Sequence, residues 1–169
     1  MRVTLEDAQQ IAQKLTAATP SIHHVELFGS VLRDGSGNDA DLVLIVDEDI
    51  SRQWWTDMGH ELRVRMGTRW LPLRRFIKTY LAWLDTMSIH GRKHRRIARA
   101  SELLGVDIEK LATEYKSGMM LDIFLFPETW RTEKIPNTSV LCSLADVICN
   151  HEETRVFLER TARSAVRLV

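Results

Sequence analysis

Apolar residues along this chain switch between two rhythms, and the switches mark its elements. Leu5, Ala8, Ile11, Ala12 and Leu15 recur at helical spacing, and Pro20 ends the pattern. Thr4 stands where a cap belongs, with Asp7 placed to return its hydrogen bond in a capping box. From Ile22 to Phe28 the period drops to two, Val25 and Leu27 alternating against His24 and Glu26, so a strand is expected. Arg33 to Asn38 is a Gly/Ser/Asp turn region. Leu42 to Val46 is unbroken aliphatic, as in a strand buried on both faces.

Helical rhythm then returns. Ile50, Trp54, Met58, Leu62 and Met66 form one stripe, with Ser51 as its expected cap. Leu73, Phe76, Ile77, Tyr80, Leu81 and Leu84 form a stronger stripe after Pro72. A third helix is predicted over Arg92 to Leu104, stopped by Gly105. A short fourth is capped by Asp107 and carries Ile108, Leu111 and Tyr115. Met119 to Phe126 is apolar except for Asp122 and reads as a strand that stops at Pro127. After a polar loop, Glu128 to Asn137, Val140, Leu141, Leu144, Val147 and Ile148 mark a helix, and a last helix is expected from Glu152 to the end. The predicted fold class is α/β (α+β), a small mixed β-sheet flanked by helices. Residues 1–127 are expected to form the core, with a helical insertion at about 50–117, and residues 128–169 a C-terminal helical segment packed on it.

Composition adds bounds. At 169 residues the chain is long enough for one domain with a real core. No apolar run approaches a membrane span, and the opening residues turn polar at once, so neither a membrane anchor nor a secretory leader is expected. Cys142 and Cys149 are spaced for two buried thiols rather than for a disulfide or zinc site, and a reducing cytoplasm is the expected compartment. Zero net charge hides a segregation. Between Leu62 and Ser101 eleven Lys/Arg stand against the single acid Asp85, a local +10 that leaves −10 elsewhere.

The candidate chemistry lies in three carboxylates. A lone ionised Asp122 inside a buried strand costs several kcal/mol unless a cation or donors compensate it. Asp39 and Asp41, two apart at the head of the other aliphatic strand, project from one face. Should the two strands be neighbours, the three acids make an oxygen-only cage that suits one or two Mg²⁺ ions. Ahead of them Gly29 permits close approach of phosphate oxygens to backbone N–H groups, Ser30 adds a hydroxyl, and Arg33 adds a charge-assisted donor. The structural alternative is that Asp39 caps a turn, Asp41 opens a strand and Asp122 meets a buried Arg.

The order Phe28-Gly29-Ser30, a polar spacer, Asp39-Ala40-Asp41 before an aliphatic strand, and a distant Asp122 in another apolar strand resembles the DNA polymerase beta-type nucleotidyltransferase superfamily. The arrangement is similar to X-family DNA polymerases, to minimal nucleotidyltransferases of toxin–antitoxin pairs and to drug-modifying ones. It covers Val25–Asp47 and Met119–Phe126. The resemblance implies a sheet of the nucleotidyltransferase type and two Mg²⁺ or Mn²⁺ ions on Asp39, Asp41 and Asp122. It further implies that Gly29 and Ser30 grip the triphosphate of an NTP, whose monophosphate passes to an acceptor hydroxyl with release of pyrophosphate. Asp122 would also help that hydroxyl lose its proton. The chain departs where members often carry Arg directly after Ser and Gly three further on: here stand Val31 and Asp34, with Gly35 one late.

The acceptor divides the expectations. Arg92, Lys93, Arg95, Arg96 and Arg99, with the rest of the basic 63–99 region, suit a DNA or RNA backbone; the plain alternative is a helix face paired with the acidic remainder. A protein or small-molecule acceptor, as in antitoxin-like or drug-modifying relatives, implies a partner chain or a pocket instead. A non-catalytic nucleotide-binding module is the third reading. Trp54 and Trp83 fit core positions, whereas Trp130 is placed to contact a nucleobase or acceptor. The six histidines show no zinc spacing.

Overall fold

The computed structural model describes residues 2–54, 57, 89–131, 160 and 163–169. The stripe from Leu73 to Leu84, the helix over Val140 to Ile148, both cysteines, Trp55, Trp70, Trp83 and the side chain of Trp130 lie outside the described residues.

The fold is mixed α/β with a small open sheet. A two-residue strand β1 (Val3–Thr4) leads into helix α1 (Leu5–Ala18), and strand β2 (Ile22–Phe28) follows. Helix α2 (Gly29–Asp34) and strand β3 (Ser36–Gly37) make a tight turn into β4 (Ala40–Val46). Residues 48–54 are helical and are designated α3. Helices α4 (Ile89–Leu104) and α5 (Ile108–Tyr115) precede β5 (Leu121–Pro127), and β6 (Val166–Arg167) completes the set. The four-stranded sheet has the order β5-β4-β2-β6. Its β4–β5 pair is parallel, while β2 pairs antiparallel with both β4 and β6.

Local chemistry accounts for most boundaries. The capping box at α1 forms: Asp7 N–H donates to Thr4 Oγ1 at 3.2 Å, and Thr4 N–H donates to Asp7 Oδ2 at 2.8 Å. Gly105, at φ 66°, follows the last residue of α4, and Asp107 Oδ1 accepts from Lys110 N–H at the head of α5. One sheet face, through Leu42, Leu44, Ile123 and Leu125, packs with Ala8, Ile11 and Leu15 of α1 and with Ile97, Ala100 and Ile108. The other face carries Val43, Ile45, Phe28 and Phe126 as a smaller apolar cluster.

Two expectations are corrected. Ser51 is not a cap: its N–H donates to Asp47 O at 3.1 Å, inside a helix that has already begun, and its Oγ donates to the Leu125 carbonyl at 3.1 Å. The last helix does not run to the end, because Val166–Arg167 pairs with Glu26 and Leu27 as a strand. His24 and Glu26, the polar residues of β2, are both buried and joined at 3.1 Å, on the same face as Phe28. Among the described residues, no helix is long and apolar enough to cross a membrane.

Candidate metal centre

Register brings the acids together. In the parallel β4–β5 pair Asp41 stands directly beside Asp122, so both side chains leave the same sheet face. Ala40 N–H donates to Met120 O at 3.0 Å and holds the two strand heads level. Asp39, two residues before Asp41, projects to that face as well. One carboxylate oxygen from each of Asp39, Asp41 and Asp122 lies within 4.8 Å of the others. An all-carboxylate donor set of this size fits a hard divalent cation.

The Gly-Ser turn abuts this cluster. Gly29 opens α2 at φ 79°, a backbone state that side chains disfavour. A Cβ built there would fall on Asp41 Oδ2 and stand 2.8 Å from the carboxyl carbon, so only glycine leaves room for the acid. The Ser30 backbone N–H donates to the Asp41 carboxylate. Gly37 also lies close against the turn: a Cβ there would meet Ser30 Oγ, which would have to rotate away. The turn therefore packs around Asp41 rather than merely preceding it.

Burial raises the Asp41 pKa to about 6, and the neighbouring Asp122 charge adds to the rise; the Ser30 N–H and Arg96 offset part of it. The other two acids have direct cationic partners. Lys93 on α4 donates to Asp39 Oδ2 and lies 3.8 Å from Asp122 Oδ2. Arg96, one turn later, donates to Asp122 Oδ1 through Nε at 3.0 Å and through its terminal nitrogen at 2.6 Å. The Arg96 guanidinium sits 5.0 Å over the Phe124 ring, and its backbone carbonyl accepts from Trp54 Nε1 at 3.1 Å.

Placement of the remaining candidates follows. Gly29 and Ser30 adjoin the acids, whereas Arg33 is exposed and paired with its neighbour Asp34 at 2.9 Å. Lys93 and Arg96, read from sequence as outward phosphate contacts, instead point at Asp39 and Asp122. Arg99 pairs with Asp57 at 2.6 Å and with Glu102. The side chain of Arg92 lies outside the described residues, and Arg95 has further interactions of its own. The arginine of the structural alternative thus has a counterpart in Arg96, which is half-buried rather than buried. The inner role of Lys93 and Arg96 was missed because a dense cationic run signals solvent, yet Ile97 and Ala100 beside them turn that helix flank inward. Comparison with protein-family models, curated proteins and solved structures gives no match.

Proposed function

We propose that this chain is a metal-dependent nucleotidyltransferase that moves a nucleoside monophosphate from an NTP to an acceptor hydroxyl. The observation that supports it most is the convergence of Asp39, Asp41 and Asp122 within 4.8 Å beside the Gly29-Ser30 turn. Asp39, Asp41 and Asp122 would hold Mg²⁺ or Mn²⁺, which when bound stabilises charge on the attacking and leaving oxygens of a phosphoryl transfer. The open backbone at Gly29 and the hydroxyl of Ser30 would contact the triphosphate. The acceptor oxygen attacks the α-phosphorus, the bond from that phosphorus to the bridging oxygen breaks, and pyrophosphate leaves. The hydroxyl proton passes to Asp122. Incubation with each labelled triphosphate, Mg²⁺ or Mn²⁺, and a panel of DNA, RNA and protein acceptors tests the reading. Asp41→Asn and Asp122→Asn should each abolish transfer; full metal-dependent activity in both variants would end it.

A second reading draws on the Arg96–Asp122 and Lys93–Asp39 pairs. In it the acids are structural anchors that fasten α4 to the sheet, and the module is non-catalytic. Breaking a fully buried pair costs roughly 3–5 kcal/mol, and these part-buried pairs should cost less. On that reading Asp122→Asn destabilises the fold and the wild type has no measurable Mn²⁺ affinity. The same pairs also weigh on the acceptor. With Lys93, Arg96 and Arg99 engaged within the chain, the basic stretch offers a nucleic-acid backbone less charge than its sequence suggests. A protein or small-molecule acceptor is correspondingly favoured.

A further inference from the structure

We propose that Lys93 is a built-in competitor for the metal: its ammonium holds Asp39 in the metal-free site and must let go before a divalent cation can be ligated. The inference rests on the proposed metal site and adds a control on how that site is loaded. Lys93 donates to Asp39 Oδ2 and lies 3.8 Å from Asp122 Oδ2, so one ammonium spans two of the three acids. Its side chain is 17% exposed and that of Asp39 14%, which shields the pair from the screening that weakens surface ion pairs. A divalent ion shared by the three carboxylates needs an Asp39 oxygen and adds positive charge beside the ammonium. The two cations therefore exclude each other at Asp39.

The two basic residues differ in freedom. Arg96 is fixed by two donor contacts to one Asp122 oxygen, by the Phe124 ring beneath it and by the Trp54 contact to its carbonyl. Lys93 has a single compact charge on a flexible stem, and its two ion pairs among the described residues are both to candidate metal ligands. Lys93 is thus the partner that can swing away, while Arg96 stays and keeps Asp122 aligned. At rest Asp39 and Asp122 remain charge-compensated, and metal affinity is set below what three free carboxylates would give.

Mn²⁺ binding to the full chain, followed by calorimetry at one pH, provides the test. Lys93→Gln and Lys93→Ala should bind Mn²⁺ about tenfold tighter than wild type, the scale on which one adjacent unit charge shifts a carboxylate's affinity for a proton. Lys93→Arg, which keeps the charge, should bind no more tightly than wild type. Equal or weaker binding by both neutral variants, with thermal melting showing them folded, would overturn the competitor role. Asp41→Asn separates the two hypotheses: it should lose Mn²⁺ binding. If Asp41→Asn binds as wild type does, or no variant binds at all, the metal site itself fails, whatever the lysine variants do.

Discussion

Gly29 and Asp41 occupy space that only one combination of side chains can share. Gly29→Ala would place a methyl against the Asp41 carboxylate and force a residue with Cβ into φ 79°. The backbone term alone costs about 1–2 kcal/mol. Denaturant unfolding should show at least that loss, and Mn²⁺ affinity should fall in the folded fraction because the carboxylate has been displaced. An unchanged midpoint would mean that Asp41 is free to move away. Asp41→Asn is expected to act in the opposite direction on stability. With its folded pKa at about 6 against an unfolded value of 3.8, Asp41 favours the native state below pH 4 and loses that contribution as pH rises through 6. At pH 8 without metal, Asp41→Asn should therefore melt above wild type; added Mg²⁺ should raise the wild type and leave the variant where it was. A variant that melts below wild type at pH 8 would show that the ionised group is compensated more fully than its surroundings suggest.

At the scale of elements, α1 and the end of α5 are tied by one acid. Asp7 belongs to the Thr4 capping box, yet its Oδ2 also accepts from Lys116 Nζ at 2.6 Å and its Oδ1 from Tyr115 Oη at 3.1 Å. Burial alone would push Asp7 up, but Lys116, Thr4 and Tyr115 together outweigh it and hold the group at about 2. A folded pKa below the unfolded 3.8 gives a contribution that is complete above about pH 4 and is lost as pH falls through 2. That contribution is roughly 2 kcal/mol. Unfolding measured from pH 5 down to pH 2 should be steeper for wild type than for Asp7→Asn; parallel curves would remove Asp7 from the acid transition. Only half of this tie was legible in the sequence. A capping box depends on residues three apart, whereas the Lys116 contact needs the α1–α5 packing that no local pattern records. The same division explains the other elements. Strands β4 and β5 show as apolar runs and β2 as an alternation, and Asp41 and Asp122 stand out because ionised groups are foreign to apolar runs. Ser51 misled because its hydroxyl serves a distant carbonyl on β5, and β6 went unread because two residues carry no period. Lys93 and Arg96 were legible as charge but not as direction.

At the scale of the molecule, three of the basic residues on α4 form long-range pairs, Lys93–Asp39, Arg96–Asp122 and Arg99–Asp57, that bind this helix to acids before and after it. The sheet is closed in a comparable way by a segment remote from its partner. Among the described residues, the strand beyond β2 is β6, with Val166 beside Leu27, Arg167 beside the buried Glu26, and Leu168 N–H donating to Val25 O at 2.8 Å. Without that cover β2 would present a row of unpaired backbone groups next to an apolar core, the condition under which sheets pair with other chains. Leu168→Pro removes the donor while leaving residue 167 in the extended backbone that precedes proline readily. Leu168→Ala keeps the donor and removes only side-chain contact. The difference between the two variants should be about 1–3 kcal/mol in unfolding free energy, the cost of a buried carbonyl left without its partner. Light scattering should show self-association in the proline variant alone. The acids lie at the heads of β4 and β5, on the other side of β2 from this edge, so Mn²⁺ affinity per folded molecule should be equal in both. Two variants of the same stability and the same monodispersity would mean that something other than β6 protects the edge of β2.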